Sequence, residues 1–217
     1  NVAVLIGHHT ARRQAMGGVE NRPPSETEMA SMLTSVEEGM EAGAVGLSTG
    51  LVYEPGRYAS TEEVADLAKV VGKYGGLYVS HMRDEGAGLL DSVRETLHIG
   101  EVSGCGVEIS HHKTVGSDNW GQVTHSLAMI EEAVAKGHDA TADQYPYTAR
   151  STMLFALVQN GTFGAGDGGA MGRSEPSEVL LCSVPGRAEY EGRTLQSFVE
   201  EYDLPGEKAA NRLLRDV

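Results

Sequence analysis

Two histidines, His81 and His111, stand in the same local pattern. Each follows a serine, and each closes a short apolar segment, 77–80 and 107–110, that predicts a buried strand. The segments lie one strand-helix unit apart, so in a parallel sheet their ends sit about 5 Å from each other. Both imidazoles could then reach one divalent ion at about 2.0 to 2.1 Å, and zinc suits such ligands. Each histidine could instead cap its strand with a hydrogen bond, but recurrence at one structural position favours a metal site.

Polar residues beyond these strands extend the candidate site. Lys113 shares a face with His111 by the two-residue period of a strand, which would place an ammonium beside the ion to receive a substrate carboxylate. A solvent-facing loop lysine is the alternative. The segment 143–152, DQYPYTARST, offers phenol and hydroxyl donors that could bind an anion, or else forms a structural turn with packed tyrosines.

Other catalytic chemistries have less support. Asp84 and Glu85 are interpreted as acids that orient Arg83 rather than as general bases. The chain has no GxSxG motif for a nucleophilic serine. It also has no GxxxxGK[ST] or GxGxxG motif between a strand and a helix, so nucleotide binding has no support.

The elements that position these residues alternate between strands and helices. Capping boxes at Ser25 and Ser60, with Glu28 and Glu63 three residues on, each precede a helical apolar pattern. Short links between strands require parallel pairing, which predicts a (β/α) barrel or an open doubly wound sheet. The predicted strands are 2–6, 44–47, 77–80, 107–110 and 140–143. The barrel is favoured because unusual polar residues follow the strand ends, where parallel α/β folds place their chemistry: His8, Ser48, His81, His111 and Asp143.

Composition limits the function classes. The 217 residues are 40% hydrophobic with a net charge of -14, which predicts one folded domain over 1–217 and excludes a basic surface for nucleic acid. No apolar run approaches the roughly 20 residues of a membrane helix. The two distant cysteines indicate a reducing, cytoplasmic compartment. The glycine-rich stretch 160–174 predicts a flexible loop, followed by a strand at 179–181 and two helices.

Four long motifs resemble one family. They are GAVGLSTGLVYEPGRYA at 43–59, SHMRDEG at 80–86, ISHHK at 109–113 and DQYPYTARST at 143–152. In this order they are similar to the N-acyl-D-amino-acid deacylases, or D-aminoacylases, of the amidohydrolase superfamily. The resemblance implies a partial (β/α)8 TIM-like barrel of the metal-dependent amidohydrolase type. It also implies zinc at the strand ends and, as substrate, a small N-acyl-D-amino acid that is hydrolysed to a D-amino acid and a carboxylate.

The resemblance also implies roles for individual residues. His81 and His111 correspond to the two strand-end zinc ligands. Lys113 and Tyr145 correspond to residues that hold the substrate carboxylate, with Tyr147 a second choice for the tyrosine, and Ser151 corresponds to a further substrate-binding serine.

Several parts of the family pattern have no counterpart in this chain: the HxH of the first strand, the cysteine that shares the zinc and the aspartate that acts as general base. Five strands are also fewer than the eight of a barrel. We therefore expect an internal fragment, with negligible hydrolysis by these residues alone and two exposed strand edges that favour self-association. The alternatives are a catalytically incomplete fragment with a binding or assembly role, and a cyclic-amide hydrolase of the hydantoinase kind.

Overall fold

A five-stranded parallel sheet forms the centre of the protein in the computed structural model, which describes residues 2–164, 166 and 168–216. The strands follow each other in chain order across the sheet, and every neighbouring pair is parallel. This confirms the predicted α/β fold and is consistent with a partial barrel. Their bounds are β1 Leu5–Gly7, β2 Gly46–Gly50, β3 Leu77–His81, β4 Gly106–Ile109 and β5 Ala140–Ala142.

Helices flank the sheet: the first five pack one against the next in chain order, and the last helix packs against both of the two before it. Their bounds are α1 His8–Met16, α2 Glu26–Glu41, α3 Thr61–Lys73, α4 Leu89–Ser103, α5 Gln122–Ala135, α6 Leu154–Gln159, α7 Leu195–Tyr202 and α8 Gly206–Asp216. Because every link between successive strands carries the chain back to the same end of the sheet, all five strands point the same way. Among the described residues, no helix is both long and apolar enough to span a bilayer.

The start of α2 follows the predicted capping box. The Ser25 hydroxyl accepts a hydrogen bond from the Glu28 amide, and the Glu28 carboxylate accepts one from the Ser25 amide. These two contacts satisfy amide groups that have no partner within the helix. Met32, Val36 and Met40 then lie buried on one face at helical spacing.

The start of α3 departs from the predicted box. The Ser60 hydroxyl accepts from the Glu63 amide as expected. The Glu63 carboxylate, however, turns away from the helix end and binds His8 at 2.9 Å and Arg12, both fully buried on α1. A buried cation and a buried imidazole therefore take the carboxylate that a capping box would use.

The other departures lie in irregular parts of the chain. Helix α1 occupies a stretch for which the sequence predicts no helix, because its buried face includes Arg12 and His8 instead of an apolar periodic pattern. The strand predicted at 179–181 is absent, and a single antiparallel bridge joins Leu180 to Thr194. Helices α7 and α8 form as predicted, and their buried apolar residues form a cluster that includes Phe198.

The glycine-rich stretch 160–174 packs against the strand ends where it is described. A Cβ atom added to Gly172 would lie 2.7 Å from backbone atoms of Val115 and Gly116, so only glycine fits this approach. Met171 in the same stretch is buried. Ala165 and Asp167, also part of the predicted loop, lie outside the described residues. Flexibility of the loop and a single domain over 1–217 stay predictions.

Candidate metal and substrate site

The two strand-end histidines meet at the carboxyl edge of the sheet. His81 is the last residue of β3, and His111 lies two residues past the end of β4. The Nδ1 atom of His81 is 3.1 Å from the Nε2 atom of His111, and the two rings stand nearly at right angles. Adjacent parallel strands thus bring together two side chains that are 30 residues apart in sequence.

An unusual backbone conformation turns His111 toward its partner. His111 has a φ of 42°, in the left-handed region that residues other than glycine adopt uncommonly. Its amide donates to the Asp143 carboxylate at 2.6 Å, and the next amide, of His112, donates to the Asp143 carbonyl. The end of β5 therefore fixes this backbone. The His112 ring lies away from the site, within 2.9 Å of the Ser126 hydroxyl on α5.

Glu85 joins the two histidines, a position that the sequence did not predict. Its Oε1 atom lies 2.9 Å from His111 Nδ1 and 3.8 Å from His81 Nε2, and its Oε2 atom lies 2.6 Å from Lys113 Nζ. The interpretation that this acid orients Arg83 is wrong, since Arg83 instead donates to both carboxylate oxygens of Glu95. The available signal was the position of Glu85, four residues after a strand-end histidine.

Burial and charge set the protonation of these groups. Burial by itself would raise the pKa of Glu85, but the hydrogen bond from His111 and the charge of Lys113 lower that pKa overall. Burial lowers the pKa of His81 to about 4, although the Glu85 charge opposes this. At neutral pH the site therefore holds an ionised carboxylate and a neutral His81 imidazole.

Lys113 and Tyr145 lie beside His81, Glu85 and His111. The Lys113 Nζ atom donates to the His111 carbonyl and lies 5.6 Å from the centre of the Tyr145 ring. Tyr145 is half-buried, whereas 74% of Tyr147 is exposed, so Tyr145 is the tyrosine beside Lys113. Ser151 is exposed.

The segment that carries Ser151 is tied to His81 through a tyrosine. The Thr152 hydroxyl lies 3.0 Å from the Tyr53 phenol, and the Tyr53 ring packs edge-on to His81 with 5.0 Å between ring centres. The chain after β5 therefore runs beside the two histidines.

Arg150 is a second residue near the site that the sequence did not predict there. Its Nη2 atom donates to the Met171 carbonyl at 2.6 Å, while its Nη1 atom is buried without a hydrogen-bond partner among the described residues. Its charge contributes to the lowered pKa of His81. Two cations, Lys113 and Arg150, therefore lie near the buried Glu85 carboxylate.

The donor set fits a divalent metal ion. Two nitrogen ligands at 2.0 to 2.1 Å in a tetrahedral arrangement are about 3.3 Å apart, close to the 3.1 Å between the facing nitrogens of His81 and His111. Ligand atoms of His81, Glu85 and His111 all lie within 4.8 Å of one another. His8, at the end of β1, is instead engaged by Glu63.

Comparison with known proteins identifies relatives over most of the chain. No protein-family model matches it. A D-aminoacylase of Alcaligenes xylosoxydans xylosoxydans is 41% identical over 154 residues, which are 71% of this chain and 31% of that protein. An N-acyl-D-aspartate deacylase of the same organism is 34% identical over 215 residues, covering 98% of this chain and 40% of the relative.

A solved structure agrees with these relatives. The crystal structure of an N-acyl-D-glutamate deacylase from Bordetella bronchiseptica, complexed with zinc and a phosphonate mimic of the tetrahedral intermediate, matches with a TM-score of 0.86 at 32% identity. The match covers 98% of this chain and 42% of that one, so the chain spans less than half the length of these relatives. Because sequence and fold agree over nearly all described residues, the chain belongs to the N-acyl-D-amino-acid deacylase family of the amidohydrolase superfamily.

Proposed function

We propose that this chain belongs to a zinc-dependent enzyme that hydrolyses the amide bond of N-acyl-D-amino acids to a D-amino acid and a carboxylate. The observation that carries the proposal is the pair of imidazole nitrogens, from adjacent strand ends, that face each other at 3.1 Å. Relatives named for D-aminoacylase and N-acyl-D-glutamate deacylase activity support the substrate class, and the zinc in the Bordetella structure supports the metal.

The residues divide into two groups in this proposal. His81 and His111 would hold the ion, which when bound lowers the pKa of a water ligand toward about 7 and polarises the amide carbonyl. Lys113 and Tyr145 would hold the substrate carboxylate, and Ser151 would add a hydroxyl donor. Such contacts orient the substrate, so that the scissile amide stays in one place relative to the metal.

Part of the machinery is not assigned to this chain. Catalytic zinc sites use three protein ligands with a fourth position for water, and two histidines fall short of that number. We assign no general base, since Glu85 is already paired with Lys113 and His111. We therefore propose hydrolysis as the activity of the enzyme to which this chain belongs, and metal binding as the contribution of His81 and His111.

The compartment and partners follow from charge and thiols. Cys105 and Cys182 are both unpaired, which supports a reducing, cytoplasmic location. The net charge of -14 supports a small-molecule substrate rather than nucleic acid or an anionic membrane.

Metal analysis tests the metal part of the proposal. The dialysed chain should retain about one equivalent of zinc, measured by inductively coupled plasma mass spectrometry, because His81 and His111 would share one ion. His81→Ala and His111→Ala should each lose that zinc, whereas His125→Ala, at an exposed position of α5, should keep it. Zinc retained in both His81→Ala and His111→Ala would contradict the proposed zinc site.

Product analysis tests the reaction. Acetate release should be measured for paired D and L forms of N-acetylated amino acids, including aspartate, glutamate and leucine. D-selective release that disappears in His81→Ala supports the deacylase. Zinc binding without any turnover supports the second candidate, a catalytically incomplete fragment with a binding role, which the small number of imidazole ligands in the cluster favours.

A further inference from the structure

We infer that Asp143 is a positioning residue: its carboxylate holds one extra residue at the end of β4, and this extra residue brings the His111 ring to the face of His81. As far as zinc is concerned, the inference rests on the proposed function. The geometry that suggests it is independent of any metal, because it follows from strand register and from hydrogen bonds of the backbone.

The strand register alone would place His111 on the opposite face of the sheet from His81. Ser80 of β3 pairs with Ile109 of β4, and both side chains are fully buried. Continuing this register by one residue sets Ser110 opposite His81. Because successive side chains of a strand point to opposite faces, His111 in a continued strand would share the face of Ile109 and point away from His81.

That other face of β4 is covered by helices. Val107 packs against α4 there, since a Cβ atom added to Gly100 of this helix would overlap the Val107 side chain. The histidine that occupies this face is His112, which is buried with its Nε2 atom 2.9 Å from the Ser126 hydroxyl of α5. His112 therefore takes the place that the two-residue period gives to His111.

Hydrogen bonds to the neighbouring strand locate the extra residue. The Val107 amide donates to the Asp139 carbonyl. Because β4 and β5 advance in step, the pattern four residues further on predicts that the His111 amide donates to the Asp143 carbonyl. The amide that does so, at 2.8 Å, is that of His112. The chain after β4 thus has one residue more than the ladder accommodates, as in a β-bulge, and bulges re-aim side chains next to functional sites.

The Asp143 carboxylate accepts the amide that the extra residue displaces. The His111 amide donates to Asp143 Oδ1 at 2.6 Å, so Asp143 binds two successive amides, one through its side chain and one through its main chain. His111 has a φ of 42°, which is unfavourable for a residue with a Cβ atom and persists only where the surroundings fix it. Asp143 is exposed, so its replacement by alanine removes the carboxylate contact and disturbs no packed core.

The conformation of His111 should be measured on the metal-free 217-residue chain by nuclear magnetic resonance. A positive φ brings the amide hydrogen close to the Hα atom of the same residue. Wild-type His111 should therefore show an intraresidue amide–Hα NOE as strong as that of Asp203, which has a φ of 53°. Asp143→Ala should weaken the NOE of His111, and Asp143→Asn, which keeps an oxygen acceptor, should retain it. A weak NOE in wild type, or an unchanged one in Asp143→Ala, would overturn the inference.

Zinc affinity, measured by competition with a chelator, gives the second readout. Asp143→Ala should bind zinc about 10- to 100-fold more weakly than wild type, because outer residues that orient a metal ligand change metal affinity by this amount. Asp143→Asn should recover most of that loss. An affinity of Asp143→Ala equal to wild type, or an equal loss in both variants, would contradict the role of the carboxylate oxygen.

Asp139→Ala is the matched control for zinc affinity. Asp139 directly precedes β5 as Asp143 directly follows it, and both are exposed. Each also accepts an amide of the neighbouring chain segment through its carbonyl, but Asp139 lies at the end of the strand away from the histidines. Asp139→Ala should therefore leave zinc affinity unchanged, and a loss equal to that of Asp143→Ala would contradict the positioning role.

The two proposals fail in different ways. A wild-type chain without zinc affinity contradicts the proposed metal site, and the NOE of His111 still decides the role of Asp143. If Asp143→Ala does not fold, Asp143→Glu tests the same contact, because it keeps the charge at an exposed position but moves the carboxylate by one methylene. Its His111 NOE should also be weaker than in wild type, and an unchanged NOE would overturn the inference.

Discussion

His81 is an imidazole that the fold keeps neutral, and this makes stability depend on pH. The pKa of His81 is 6.5 in the unfolded chain, where the imidazole is in water, and about 4 in the folded protein, chiefly because of burial. Between these values the unfolded state binds more protons, so stability falls as the pH drops from 6.5 toward 4. From pH 7 to pH 5 the contribution of His81 should fall by about 1 to 2 kcal/mol.

The measurement is urea unfolding at pH 7 and pH 5 with EDTA, for wild type and His81→Gln. The variant should lose less stability between the two pH values. The pKa values of His9 and His112 are also lowered by burial, so a smaller pH effect should persist in the variant. An equal pH effect in both proteins would show that His81 is not held neutral.

Lys113 should be important for folding as well as for substrate. Its side chain is 13% exposed and pairs with the buried Glu85. Lys113→Met leaves that carboxylate without its cation, which should reduce the free energy of unfolding by about 3 kcal/mol. Urea denaturation should show this loss, and the double variant Lys113→Met/Glu85→Gln should recover most of it.

A surface pair provides the control for this prediction. Lys136 binds Glu132 at 2.7 Å, but both side chains are well exposed. Lys136→Met should therefore change stability little, because exposed ion pairs contribute little. A double variant no more stable than Lys113→Met would contradict the account of the buried pair.

For individual residues, the sequence predicts a role from the residue type and from its position in a repeated pattern. His81 and His111 could be found because each ends a strand, and the strand period then added Lys113. Glu85 could not be assigned in the same way, since it lies in an irregular turn after β3, where no period predicts the direction of a side chain. Its position depends on backbone contacts with residues 115 and 170, which only the folded chain brings close.

Among the elements, α2 depends on the cap at its first turn. Ser25→Ala removes the hydroxyl that accepts from the Glu28 amide and should reduce stability by about 1 kcal/mol. Ser31→Ala is the control: this serine is exposed in the interior of the same helix, where alanine has the higher helix propensity. Urea unfolding should therefore show a loss for the first variant and none for the second.

The elements with regular apolar patterns were predictable, and the others were not. Short apolar segments predict the five strands, and a periodic apolar pattern predicts helix α2, so local pattern and tertiary packing agree there. Helix α1 buries Arg12 and His8 against Glu63 of α3, a contact between residues more than 50 positions apart. The same contact takes Glu63 from its predicted capping box, so one long-range ion pair explains both departures.

For the molecule as a whole, the sheet has two edges. Among the described strands, β1 pairs only with β2, and β5 pairs only with β4. Unpaired backbone groups on an edge strand can pair with another chain, and a closed barrel avoids this by joining its edges. The 217-residue chain should therefore self-associate as its concentration rises.

A charge placed on one edge tests this expectation. Ala142→Lys puts an ammonium on an exposed residue of β5, and lysine on an edge strand disfavours pairing with a second sheet. Ala128→Lys makes the same change of charge on the exposed face of α5, away from the edge. Sedimentation velocity over a range of concentrations should show association for wild type and Ala128→Lys, and less association for Ala142→Lys. Equal association of the two lysine variants would exclude the β5 edge, and a monomeric wild type at every concentration would exclude edge pairing altogether.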